Sequence, residues 1–345
     1  MGSHRRSVLR SRTTRVAVAG VVFACLTAAA PTQAARPPAA ATLFVMAAQN
    51  SGGLGVSGPV LRYDVRGPTN APTLTRTIDD PSFFRPCCFA FTPAGELLVV
   101  NRGDPFASQS GYISRIRDPL GNPASNGQFA FRDFSVPHWA AFKGKELFVA
   151  QLGQSNVLRL DFNRRGIASP SGVVAGGGLC CTAPRAVAFS PTGELFVTQC
   201  CTVNTVNRFT FDGAGNAVAN GVLTGNGLSN PQDLVFDRSG ELFVANARND
   251  SISRFKFDTA GTAIPNGQIT GAALSGPSGL AFSPWGELFV GNTFAPGGIS
   301  RWAFNSAGAA TFNGSFGTPS NVVIDIQFAP RPVCDNLTAG SNDCG

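Results

Sequence analysis

One short pattern, a glutamate or its equivalent followed by an apolar strand, recurs along this chain and limits what it can fold into. "ATLFVM" (41–46), "GELLVV" (95–100), "KELFVA" (145–150), "GELFVT" (193–198), "GELFVA" (240–245) and "GELFVG" (286–291) follow one another at spacings of 54, 50, 48, 47 and 46 residues. A period of this length marks one supersecondary unit that buries its apolar face only by packing on the next copy. Within a unit such as "PQDLVFDRSGELFVANARNDSISRFKFDTAG" (231–261), four short alternating runs are separated by turn residues. "FTPAGE", "FSPTGE", "FDRSGE" and "FSPWGE" are hairpin turns in which Gly95, Gly193, Gly240 and Gly286 supply a positive φ. An Asn-Gly pair, at Asn126, Asn220, Asn266 and Asn313, is expected to introduce each outer strand. After residue 35 no long segment has helical periodicity, so the chain is read as all-β.

The geometry of a ring is legible in the first strand of each unit. "CFAF", "WAAF", "AVAF", "DLVF" and "GLAF" alternate small and large residues and end on Phe91, Phe142, Phe189, Phe236 and Phe282. That taper suits strands crowded around a central axis. The chain's ends are complementary: "VVIDIQFAP" (322–330) is a first strand with no following partners, whereas "ATLFVM" and "VLRYDV" are middle strands with none before them. Joined, they complete a sixth unit. The expected fold is a six-bladed β-propeller whose N- and C-terminal segments close the last blade, a single domain over 36–333.

The quoted unit and "PSGLAFSPWGELFVGNT" resemble NHL repeats, with the similarity running over nearly all of 41–330 and departing from the repeat at Asp233, Asn246 and Asn292. The resemblance implies a propeller with many uses, among them ligand-binding surfaces, gluconolactonase-like hydrolases and amidating lyases, so it assigns no activity by itself. A gluconolactonase-like hydrolase would hold a divalent ion through Glu, Asn and Asp on the inner strands.

Residues 1–35 read as an export signal: Arg5, Arg6, Arg10, Arg12 and Arg15 precede "VAVAGVVFACLTAAA", with small residues at "TQAA" for cleavage. "RRSVLR" also fits a twin-arginine signal. Secretion or periplasmic residence follows, with no membrane-spanning segment left. Five of the 27 Lys+Arg leave with the signal, so 22 face 20 Asp+Glu, near +2. No basic cluster remains for a nucleic acid, and a monomer is expected.

In such a ring the first residues of each inner strand open on one face, the top. They are Cys87-Cys88, His138-Trp139, Arg185-Ala186, Gln232-Asp233, Ser278-Gly279 and Ile324-Asp325. Residues that depart from a repeat are better site candidates than those that obey it. His138, Asp233 and Asp325 are candidate acid–base groups, and the two aspartates are candidate ligands for a divalent ion such as calcium. Trp139, Arg185, Gln232, Ser278, Asn246 and Asn292 are candidate ligand contacts. Asn246 and Asn292 also belong to a ring with Asn101, Gln151 and Gln199 at the ends of the second strands, where amides cap loop backbone. The five glutamates, Glu96, Glu146, Glu194, Glu241 and Glu287, fall on the opposite face and read as solvated turn residues. A multi-histidine zinc site is excluded, because after the signal only one histidine remains.

Eight cysteines follow the signal: Cys87, Cys88, Cys180, Cys181, Cys200, Cys201, Cys334 and Cys344. An even number in an exported chain implies disulfides. Each adjacent pair either closes on itself, or Cys180-Cys181 cross-links to Cys200-Cys201; bound soft metal is the alternative. Cys334 and Cys344 are expected to bridge within a 334–345 tail. Three functions stay open: binding of a small molecule, glycan or peptide at the top face, a metal-assisted hydrolase or lyase at the same mouth, and a protein-interaction module.

Overall fold

The computed structural model describes residues 40–48, 58–103, 110–163, 165–180 and 184–330, besides Gly2. The signal segment and the 334–345 tail therefore lie outside the described residues. Those described form six four-stranded antiparallel sheets and no helix, and none of their segments is a helix long and apolar enough to cross a membrane.

The inner strands of blades 1 to 5 are Pro86–Phe91, Pro137–Lys143, Pro184–Phe189, Pro231–Phe236 and Pro277–Phe282. Blade 6 is composite: Val323–Phe328 is its inner strand, and Ala41–Ala47, Val60–Val65 and Thr73–Ile78 lie outward from it. The register Leu43↔Phe328 through Met46↔Asp325 confirms the closure read from the two chain ends. Each inner strand packs on those of both neighbours, so the ring is complete.

Aromatic residues lock the blades together. The phenylalanine ending an inner strand meets, edge to face, the phenylalanine of the preceding blade's second strand: Phe148–Phe189 at 4.9 Å, Phe196–Phe236 at 5.0 Å, Phe243–Phe282 at 5.0 Å, Phe289–Phe328 at 5.1 Å and Phe44–Phe91 at 5.0 Å. Such pairs add about 0.5–1.5 kcal/mol each beyond their buried area. Between blades 1 and 2 the second-strand position is Leu98, and Phe142 turns instead to Phe162 at 5.3 Å.

Two expectations are corrected on the far face. The glutamates are not solvated: each pairs with an arginine of its blade's third strand, as Glu96–Arg115, Glu146–Arg159, Glu194–Arg208, Glu241–Arg254 and Glu287–Arg301, with N···O distances of 2.7–2.8 Å. Four of those arginines also lie over the blade-locking phenylalanines at 5.1–5.3 Å, which covers one side of each pair. Nor does Asn-Gly start the outer strand; it lies within it. Across from Arg115, Arg208, Arg254 and Arg301 the ladder shifts register by an extra residue. The positive φ at Gly127, Gly221, Gly267 and Gly314 accommodates this bulge. The bulge swings Asn126, Asn220, Asn266 and Asn313 inward to donate to the same glutamate at 2.6–2.7 Å.

Candidate functional site

A pocket of about 850 Å³ lies over the mouth of the central channel, and every blade contributes to its lining. His138, Arg185, Gln232 and Ser278, all at inner-strand openings, face it together with Arg102 and Cys201. Phe294, more than half exposed, helps form one wall. The structure thus brings together four of the residues singled out by their departure from the repeat.

The two inner-strand aspartates serve differently. Asp233 accepts the backbone N–H of Leu234 and that of Leu280 in blade 5, both at 2.8 Å. Asp325 accepts the N–H of Phe89 in blade 1 at 3.0 Å. They staple adjacent inner strands and are absent from the pocket lining. Gly279 lies between their blades, where a Cβ would stand 2.9 Å from the Asp325 backbone. Burial pushes the Asp233 carboxyl up to about 7, against the pull of its two N–H donors. Burial, and then the charge of Asp233, holds Asp325 well above the ordinary carboxylate range.

His138 is fully buried, stacked on Trp139 with ring centroids 5.7 Å apart. Its Nε2 lies 3.3 Å from Arg102 Nη1. Burial, with the charges of Arg102 and Arg185, drives its pKa well below 6.5, so the ring is a neutral imidazole at physiological pH. A guanidinium donor on Nε2 leaves the ring proton on Nδ1. Arg185 lies 5.8 Å from the Trp139 ring centre, and Trp139 itself sits behind the pocket wall rather than in it. Neither Arg102 nor Arg185 forms an ion pair with a carboxylate among the described residues.

Asn246 and Asn292, expected as ligand contacts, are buried and committed to loops. Asn246 Oδ1 accepts from Ser229 N and Asn292 Oδ1 from Ser275 N. Asn101, Gln151 and Gln199 do the same for Phe84, Ser135 and Cys180. Each amide ties the loop entering an inner strand, which fixes where the mouth residues stand.

Both fully described cysteine pairs turn inward on themselves. The sulfurs lie 2.9 Å apart in Cys87-Cys88 and 2.7 Å apart in Cys200-Cys201, longer than the roughly 2.05 Å of a disulfide. Burial raises the Cys87 thiol, but its bond to Cys88 and the charges of Arg102 and Arg185 outweigh that and lower it; Cys88 is raised well above its usual value, chiefly by burial. Burial, then the Cys201 contact, pushes Cys200 up to about 11. Cys181, Cys334 and Cys344 lie outside the described residues.

Arg102 was missed. It follows the second-strand amide in "VVNRG", where the other blades carry Leu152, Cys200, Ala247 and Thr293. The same departure criterion, applied one residue beyond the amide ring, would have found it. The described residues of this mouth do not fit a divalent ion. No group of three His, Cys, Asp or Glu side chains suited to a metal occurs among the described residues. The candidate aspartates hold backbone, and two guanidinium groups face the cavity.

No family profile matches the chain, and no curated protein shows significant sequence similarity to it. Solved structures do resemble it. The periplasmic gluconolactonase of Pseudomonas aeruginosa superposes with a TM-score of 0.62 at 17% identity, over 85% of this chain and 100% of that one. A candidate 6-phosphogluconolactonase from Bacteroides fragilis gives 0.58 at 15% identity, over 81% and 82%. A chain of the nidogen–laminin complex gives 0.58 at 15% identity, over 84% and 98%. Neighbours as unlike as a lactonase and a laminin-binding assembly, at these identities, carry the fold and not a shared activity. The chain is an all-β, six-bladed propeller with structural neighbours among lactonases.

Proposed function

We propose that this is an exported NHL-type propeller that binds a small or extended ligand at the top-face channel mouth. The supporting observation is the pocket itself: about 850 Å³, on the channel axis, built from all six blades and lined by the side chains that break the repeat. Adjacent-cysteine disulfides rigidify the mouth in this reading, which predicts for a secreted or periplasmic sample a mass gain of about 2 Da per closed pair on reduction. Ala247, buried at the pocket edge, gives the test. With a bound sugar acid, glycan or peptide found by thermal-shift screening, Ala247→Trp is expected to weaken binding at least tenfold while the protein stays folded. Unchanged affinity in that variant would place the ligand elsewhere.

A second reading, a lactonase-like hydrolase, draws on the buried neutral imidazole of His138 at the mouth and on the gluconolactonase neighbour. In this reading Nε2 would exchange its Arg102 contact for a water, take that water's proton as it attacks a lactone carbonyl, and return the proton to the ring-opened alkoxide, without a metal. Hydrolysis of δ-gluconolactone that survives chelation and falls at least a hundredfold in His138→Gln would support it; no turnover by the wild-type protein would end it.

A further inference from the structure

The pocket's chemistry is one-sided. The five repeat arginines, Arg115, Arg159, Arg208, Arg254 and Arg301, each hold a glutamate. Arg102 and Arg185, at the mouth, hold none among the described residues. Around them, four N–H groups are buried without an acceptor among the described residues: Arg102 Nε, His138 Nδ1, Trp139 Nε1 and Arg185 Nε. They belong to one contiguous cluster, since Arg102 touches His138, His138 stacks on Trp139, and Arg185 lies over Trp139. A buried donor left unpaired is destabilising, so native structures seldom gather several in one place without something to receive them. The two inner-strand carboxyls do not supply the missing charge: Asp233 and Asp325 face backbone N–H groups and are held toward their neutral forms by burial.

We propose that the pocket floor is an anion subsite, in which Arg102 and Arg185 grip a carboxylate or phosphate group of a small acidic ligand. His138 and Trp139 hold the guanidinium groups in place, the first through its ring nitrogen and the second through its face. Planar guanidinium groups match the paired oxygens of both anions, and such charge-assisted pairs are stronger than neutral hydrogen bonds. The inference rests on the pocket being a ligand site and adds the class of ligand.

Calorimetry at low ionic strength tests it, with inorganic phosphate and gluconate as anionic probes and glucose and cellobiose as neutral ones. An anionic probe is expected to bind, to weaken as sodium chloride rises from 50 to 500 mM, and to lose at least tenfold affinity in Arg185→Gln, with Arg185→Lys losing less. A test that needs no variant accompanies it: phosphate is expected to protect Arg102 and Arg185 from phenylglyoxal, read by peptide mass, with Arg248 reacting regardless. If only neutral sugars bind, and Ala247→Trp abolishes that binding, the pocket reading stands and the anion subsite is wrong. If no probe of either kind binds, both fail. Anion binding indifferent to Arg185→Gln and giving no protection would also overturn the proposal.

Discussion

At the scale of single residues, Asp233 and His138 pull stability in opposite directions, and each sign can be worked out. The folded Asp233 carboxyl sits near 7 against an ordinary 3.8, so the folded chain binds its proton more tightly than the unfolded one. Its contribution to stability is greatest below about pH 4 and is lost as pH rises toward 7. His138 is depressed below 6.5; its contribution is complete above 6.5 and is lost as pH falls. The two slopes oppose one another in the wild type. Asp325, also raised by burial, adds a slope of the Asp233 sign to both variants, so the difference between them is what counts: in urea unfolding between pH 4 and 8, the stability of Asp233→Asn relative to His138→Gln is expected to rise as pH climbs toward 7. Parallel profiles for the two variants would contradict both assignments. Sequence reasoning reached these residues because they break a repeat, but not their division of labour. Whether an inner-strand carboxyl faces a cavity or a neighbouring backbone depends on blade-to-blade registry, which pairs Asp233 with Leu280 and Asp325 with Phe89 across long sequence separations.

At the scale of strands, the bulge, the glutamate, the arginine and the phenylalanine form one unit repeated around the far face. Glu241 and Arg254 are both nearly inaccessible, with side chains 6% and 9% exposed. Removing one charge of a buried pair strands the other, at a cost of about 3–5 kcal/mol. Glu241→Gln is therefore expected to lower unfolding stability by about 3 kcal/mol in chemical denaturation, while removing Asp161 from its exposed pair with Lys145 costs under about 1 kcal/mol. A loss at Glu241 no larger than that at Asp161 would mean the far-face pairs are solvated after all. Strand order, turn glycines and the phenylalanine row were legible because they follow from period and alternation. The ion pairs were not, because their partners lie on neighbouring strands and meet only through the register of the ladder between them, in which each arginine stands opposite the residue two beyond its glutamate. The arginines of "ISRI", "VLRL", "VNRF", "ISRF" and "ISRW" repeat as faithfully as the glutamates, and that shared period was the available signal.

At the scale of the whole molecule, the ring closes through a strand pairing that joins residues 41–47 to 323–328. Blades 1 to 5 each hold consecutive strands, so blade 6 alone depends on residues from both ends. A chain ending before residue 320 would leave the Ala41–Ala47 edge unpaired and the face of Phe289 without Phe328. Such a truncation is expected to abolish cooperative unfolding and to yield aggregated protein, checked by circular dichroism and light scattering. A cooperative transition near the wild-type midpoint would show that five blades suffice.

The same closure also sets an order of events in time. The first three strands to leave the ribosome are edge-on and without their inner strand until almost the entire chain has followed, so blade 6 is assembled last, across a separation of some 280 residues. A permuted chain that begins just before Val323 and runs on through residue 330 into residue 40 would make every blade local in sequence while keeping the same contacts, and so would turn the slowest step of assembly into one as quick as the other five.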